Sequence, residues 1–151
     1  MTDRFSDLMT TKVSDIEPPK PLPNGLYHAT YSKWNLNTIN TKNGETPVLD
    51  LTFQISAPVD DIDLEGATLP TSRAYRVWSR RNDEGEIVGW GHRLRKLVEK
   101  TFGMDPDEQL NQILEDAIGT EVIVEVEQRV NPNDPEEVFW DIKSVRPADS
   151  V

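Results

Sequence analysis

The sequence predicts a mainly-β domain with one helical interruption. Apolar and polar residues alternate with a period of two in five separate segments, the pattern of half-buried strands. Between the third and fourth segments, from about His92 to Gly119, the spacing changes to the 3.6-residue period of a helix. Turn-forming residues separate the runs, above all Asn43-Gly44, the strongest short hairpin pair.

In chain order, residues 1–23 read as a flexible, proline-rich tail. The run Glu17-Pro18-Pro19-Lys20-Pro21-Leu22-Pro23 forbids helix and favours extended geometry. Upstream, Phe5, Leu8 and Met9 fit one helical face within Arg4 to Thr11. The domain, residues 24–146, opens at the turn Asn24-Gly25. Strand one, Leu26 to Asn37, sets Tyr27, Ala29 and Tyr31 against His28, Thr30, Ser32 and Trp34. Strand two, Pro47 to Ser56, alternates Leu49, Leu51, Phe53 and Ile55 with Asp50, Thr52 and Gln54. An acidic loop follows. Its Asp61-x-Asp63-x-Glu65-Gly66 copies the start of a calcium loop, but Ser72 stands where the closing glutamate belongs.

Strand three, Arg73 to Arg80, points Tyr75, Val77 and Ser79 one way and Ala74, Arg76, Trp78 and Arg80 the other. Asn82-Asp83-Glu84-Gly85 turns the chain towards a short return at Glu86-Ile87-Val88. A first helix, His92 to Phe102, carries the stripe Leu94, Leu97, Val98, Thr101 and Phe102 and stops at Gly103. Arg93, Lys96 and Lys100 occupy its polar side. Asp105-Pro106 is a cap and first-turn proline for a second helix with Leu110, Ile113, Leu114 and Ala117. Strands four and five are Thr120 to Arg129 and Val138 to Val145, joined by a loop over Asn131 to Pro135. Residues 147–151 form a C-terminal tail. Five strands with helices between the third and fourth follow the order of an OB-fold, a partly open five-stranded barrel. A mixed sheet with a helix on one face is the structural alternative.

Composition narrows the chemistry. The 151 residues include no cysteine, which excludes disulfides and thiolate sites. No apolar run approaches the ~20 residues of a membrane helix. His28 and His92 lack metal-ligand spacing, and no phosphate-cradling glycine motif occurs, so neither an enzyme nor a cofactor is expected. The net charge of −11 is uneven. Thr71 to Lys100 holds eight of the sixteen basic residues against four acids, leaving this segment at +4 and the remainder at −15. Screening confines fields to about 8–10 Å, so a local basic surface can hold phosphate on an acidic molecule.

The arginine row of strand three, with an indole inside it, suits a single strand: guanidinium groups meet phosphates and the ring stacks a base. The expected contacts are Trp34, Arg76, Trp78 and Arg80, with Lys33, Arg73 and Arg81 at the rim. About four neutralised phosphates correspond to a log–log salt slope near −3. The same stretch also fits a strand whose solvent face is merely basic, and each ring also fits a core. A second functional reading is an acidic, non-enzymatic interaction module that recruits a replication or recombination protein through its tail or a sheet edge.

One resemblance spans roughly Pro21 to Val145. It rests on Leu22-Pro23-x-Gly25-x-Tyr27, on Asn43-Gly44 before Leu49-x-Leu51-x-Phe53, on Leu94 and Leu97 ahead of Phe102-Gly103, and on Ile118-Gly119-x-Glu121-Val122-x-Val124. With these features the chain resembles a family of small phage proteins regarded as candidate single-stranded DNA-binding, recombination-accessory proteins. The resemblance implies an OB-like fold, a role in phage DNA replication or recombination in the cytoplasm of an infected bacterial host, and no catalytic residues. Familiar bacterial single-strand binders end in an acidic tail with a terminal Phe. The ending Pro147-Ala148-Asp149-Ser150-Val151 lacks that pattern, so recruitment through such a tail is not expected.

Overall fold

The computed structural model describes Met9, Lys12 and residues 20–149. Among these, six antiparallel strands form one sheet: β1 (Gly25–Thr41), β2 (Gly44–Pro58), β3 (Thr71–Arg81), β4 (Ile87–Trp90), β5 (Glu121–Asn131) and β6 (Asp134–Pro147). Their order across the sheet is β4-β3-β2-β1-β5-β6. Helix α1 (His92–Lys96), a π-helical turn (Leu97–Thr101) and helix α2 (Leu110–Asp116) lie between β4 and β5.

The mainly-β class follows the alternation, but the expected five-stranded barrel is corrected to an open, six-stranded sheet. The extra strand has a local cause. The Asn82 side-chain oxygen accepts the N–H groups of Glu84 (2.9 Å) and Glu86 (3.0 Å), and the turn returns the chain onto the end of β3. There Ser79 pairs with Trp90 and Arg80 with Gly89. The rest of that β3 edge has no hydrogen-bonded ladder to β6. It meets β6 through side chains, with the Arg73 guanidinium 4.0 Å from the centre of the Trp140 ring.

One face of the sheet carries the core. Leu49, Leu51, Phe53 and Ile55 of β2 are buried, as are Tyr75 and Val77 of β3 and Val122, Val124 and Val126 of β5. The first helix covers this face with Leu94, Leu97, Val98 and Phe102, and the second with Ile113 and Leu114. Tyr31 joins the layers. Its ring lies 4.8 Å from Phe102 and 5.6 Å from Phe53, and its hydroxyl donates to the Leu114 carbonyl at 3.0 Å. Its backbone exchanges bonds with the chain leaving α2: Tyr31 N–H to Thr120 O at 2.9 Å, and Gly119 N–H to Tyr31 O at 2.8 Å. Gly119 has φ 97°, a left-handed conformation that glycine adopts without a Cβ clash.

Both helices depart from the sequence expectation at one end. The first widens into the π turn, where the Phe102 N–H reaches back to Leu97 O at 2.9 Å. The second opens at Leu110 rather than after Asp105-Pro106. The Asp105 carboxylate accepts the Asp107 N–H at 3.0 Å, which closes a turn of its own instead of capping a helix.

The boundaries also extend. Leu22, placed in the tail by its prolines, is 1% exposed and belongs to the core. Its carbonyl accepts the Gln128 side-chain amide at 2.8 Å, and the next carbonyl, of Pro23, accepts the Tyr27 hydroxyl at 2.8 Å. At the other end β6 runs through Pro147. Phe5, Leu8 and Pro18-Pro19 of the tail, and Ser150-Val151, lie outside the described residues. No helix among the described residues is long and apolar enough to cross a membrane.

Candidate nucleic-acid interface

The outer face of β1, β2 and β3 is built by register. Val48 pairs with Trp78, Asp50 with Arg76 and Thr52 with Ala74, so these side chains share the face opposite the core. Lys33 pairs with Thr52 and Asn35 with Asp50, which brings β1 onto the same surface. Trp78 is 49% exposed. Val48, its cross-strand partner, is fully buried, while about half of the indole is open to water. Arg80 and Lys33 are exposed, and no carboxylate among the described residues pairs with either.

Arg76 is on this face but engaged. Its Nε donates to Asp50 Oδ1 at 2.8 Å and its Nη2 to Asp50 Oδ2 at 2.9 Å, a two-pronged pair. Asn37 adds a third bond to the same carboxylate, 2.7 Å from Oδ2. The Arg76 hydrogen bonds hold the Asp50 carboxyl below the usual carboxylate range, against the opposing effect of burial, and the same bonds raise Arg76. This pair cancels one positive charge at the centre of the face.

Three of the expected contacts lie elsewhere. Trp34 is on the core face, paired with Leu51 and half-buried against the core, with its indole N–H donating to Glu115 at 2.9 Å. The cause is a bulge. Between Tyr31 and Lys33 the register shifts past Ser32, so every side chain beyond it changes face. Arg73 pairs with Phe53 on the core side and covers Trp140. Arg81 clamps two hairpins: its guanidinium donates to Gly85 O, to Glu45 O at 2.8 Å and to Thr46 Oγ1 at 3.1 Å. The structure therefore places Lys33, Arg76, Trp78 and Arg80 on one face and gives Trp34, Arg73 and Arg81 contacts elsewhere.

The remaining rings and acids have plain settings. Trp90 packs against the core and Trp140 is buried. In the calcium-like loop, Asp63 accepts the Glu65 N–H at 2.9 Å, and no group of three or more metal-ligating side chains forms among the described residues. Sequence reading left one basic feature out of the site. Arg93, Lys96 and Lys100 of the first helix line a cleft together with Lys143 and Arg146 of β6. The helical spacing of the first three was legible, but their meeting with β6 was not. No protein-family model and no curated protein matches the chain.

Proposed function

We propose that the protein is a sequence-tolerant single-stranded DNA-binding protein, non-enzymatic, acting in phage DNA replication or recombination in the host cytoplasm. The observation that carries this reading is Trp78, about half exposed (49%) on a sheet face between Arg76 and Arg80, on a chain of net charge −11. A half-exposed indole beside buried Val48 offers a base one flat surface, and Arg80 and Lys33, at opposite ends of the face, each offer a phosphate an unpaired cation. The sheet is open, but the succession β3-β2-β1-β5-β6 within it, with Arg73 over Trp140 between its two ends, supports an OB-like reading of this fold. In that class the second and third strands are the usual nucleic-acid face.

The test is a low-salt fluorescence titration with oligothymidylate and with duplex DNA side by side. Single strands should quench tryptophan emission, salt should relieve it, and duplex should bind more weakly. Absence of quenching by any single strand at low salt ends the proposal. In that event the second reading, an acidic module binding a replication or recombination protein, is what remains.

A further inference from the structure

We infer that the cleft between the first helix and β6 is a second contact for the same ligand and holds the sugar–phosphate backbone of a single strand. This rests on the single-strand reading above. The cleft has a volume of about 490 Å³ and draws cations from both walls: Arg93, Lys96 and Lys100 from the helix, Lys143 and Arg146 from β6. No carboxylate is among the lining residues, and Glu125, on the β6 side, is bonded to Ser144 at 3.2 Å and to Arg146 at 2.8 Å. Five of the sixteen basic residues of a chain with twenty-seven acids thus border one concavity, three of them, Arg93, Lys96 and Lys100, without a carboxylate partner among the described residues. Its floor is Tyr75, Leu97 and Val145, apolar surface on which a sugar or base edge can rest.

The two walls differ in readiness. Lys143 is bonded to Glu127 at 3.1 Å, and Arg146 to Glu125 at 2.8 Å, so the cations of β6 are already partnered. Arg93, Lys96 and Lys100 are exposed and have no carboxylate partner among the described residues. Arg95, one position away, is paired with Glu99 at 3.0 Å and is not a lining residue. The charge on this helix is therefore neutralised on one side and left open on the side facing the cleft. The open side continues into the π turn, a distortion that recurs at functional sites, and β6 has its own bulge at the level of Lys143.

Counting charges separates this cleft from the sheet face. Lys33 and Arg80 alone neutralise two phosphates, for a single-strand salt slope of about −1.4. Adding Arg93, Lys96 and Lys100 makes five, for a slope of about −3.5.

The experiment measures anisotropy of a fluorescein-labelled oligothymidylate over a salt series with the full chain, the Lys96→Glu/Lys100→Glu variant and Trp78→Ala. Circular dichroism checks folding, and Lys96→Gln/Lys100→Gln is the milder variant should charge reversal unfold the helix. The cleft variants should make the slope shallower by about 1.4, with at least about tenfold weaker binding at low salt for the charge reversal. Tryptophan quenching at saturation should persist in them. Trp78→Ala should keep the steep slope.

Wild-type slope and affinity in the cleft variants overturn the inference and leave the sheet-face reading intact. The reverse pattern, with Trp78→Ala silent and the cleft variants inactive, keeps the cleft and removes the sheet face. If the wild-type chain binds no single strand, both fall. An unlabelled polyglutamate that competes as well as unlabelled oligothymidylate would make the cleft a general site for acidic peptides and overturn its assignment to a polynucleotide.

Discussion

Trp78 and Asp50 show how neighbouring residues on one face do different work. Trp78 is about half exposed on the face opposite the core, so truncating it removes a ring and opens no deep cavity. Trp78→Ala should weaken oligothymidylate binding by about 1–3 kcal/mol, the usual contribution of one stacked base. Thermal unfolding should show a midpoint close to that of the wild-type chain. Asp50 instead withholds a cation: its carboxylate takes two bonds from Arg76 and one from Asn37. Asp50→Asn should release Arg76, strengthen single-strand binding and steepen the salt slope by about 0.7. The same residue gives a pH signature. The Asp50 carboxyl is held below its ordinary value, chiefly by the Arg76 hydrogen bonds. Its contribution is therefore complete above the unfolded-state value of about 3.9 and lost as pH falls through the lower folded value. Asp50→Asn should flatten the acid limb of a stability–pH curve measured by urea unfolding.

At the scale of elements, local devices decide which side chains share a face. The bulge at Ser32 inverts the alternation of β1, which is why Trp34 follows Tyr31 into the core despite its even position. Tyr31 then ties β1 to α2 through its hydroxyl and the Leu114 carbonyl. Burial, with the Glu115 charge nearby, raises the Tyr31 pKa, so its O–H stays a donor through the neutral range. Tyr31→Phe should cost about 1–2 kcal/mol in denaturant unfolding, because a buried carbonyl loses its side-chain donor. Arg81 belongs to the same scale. It bonds the β3–β4 turn at Gly85 and the start of β2 at Glu45 and Thr46. Arg81→Ala should raise amide hydrogen exchange in both hairpins while leaving exchange in β5 unchanged.

For the whole molecule, the decisive contacts join distant segments. Leu22 is buried between the chain entry and β5, where Gln128 fastens its carbonyl. Leu22→Ala should destabilise by about 2–5 kcal/mol, as for other fully buried leucines. Across the open seam, Arg73 over Trp140 substitutes a desolvated cation–π contact for the ladder that β3 and β6 lack. The first helix fills the same side of the molecule, and its basic positions face β6 there.

The strand alternation determined, before any coordinates, which side of β2 and β3 faces the core, and hence that Arg76, Trp78 and Arg80 share the other side. That is a local property, since successive side chains on an extended strand must point in opposite directions. Leu22 was hidden by its prolines, because a local bias towards extended backbone says nothing of burial. Tertiary structure alone settled the rest: a one-residue bulge that carries no periodic signal, an Arg76–Asp50 pair 26 positions apart, and a cleft whose walls come from α1, the π turn and β6. These depend on strand pairing and on helix packing against the sheet, which bring together residues that no spacing along the chain relates.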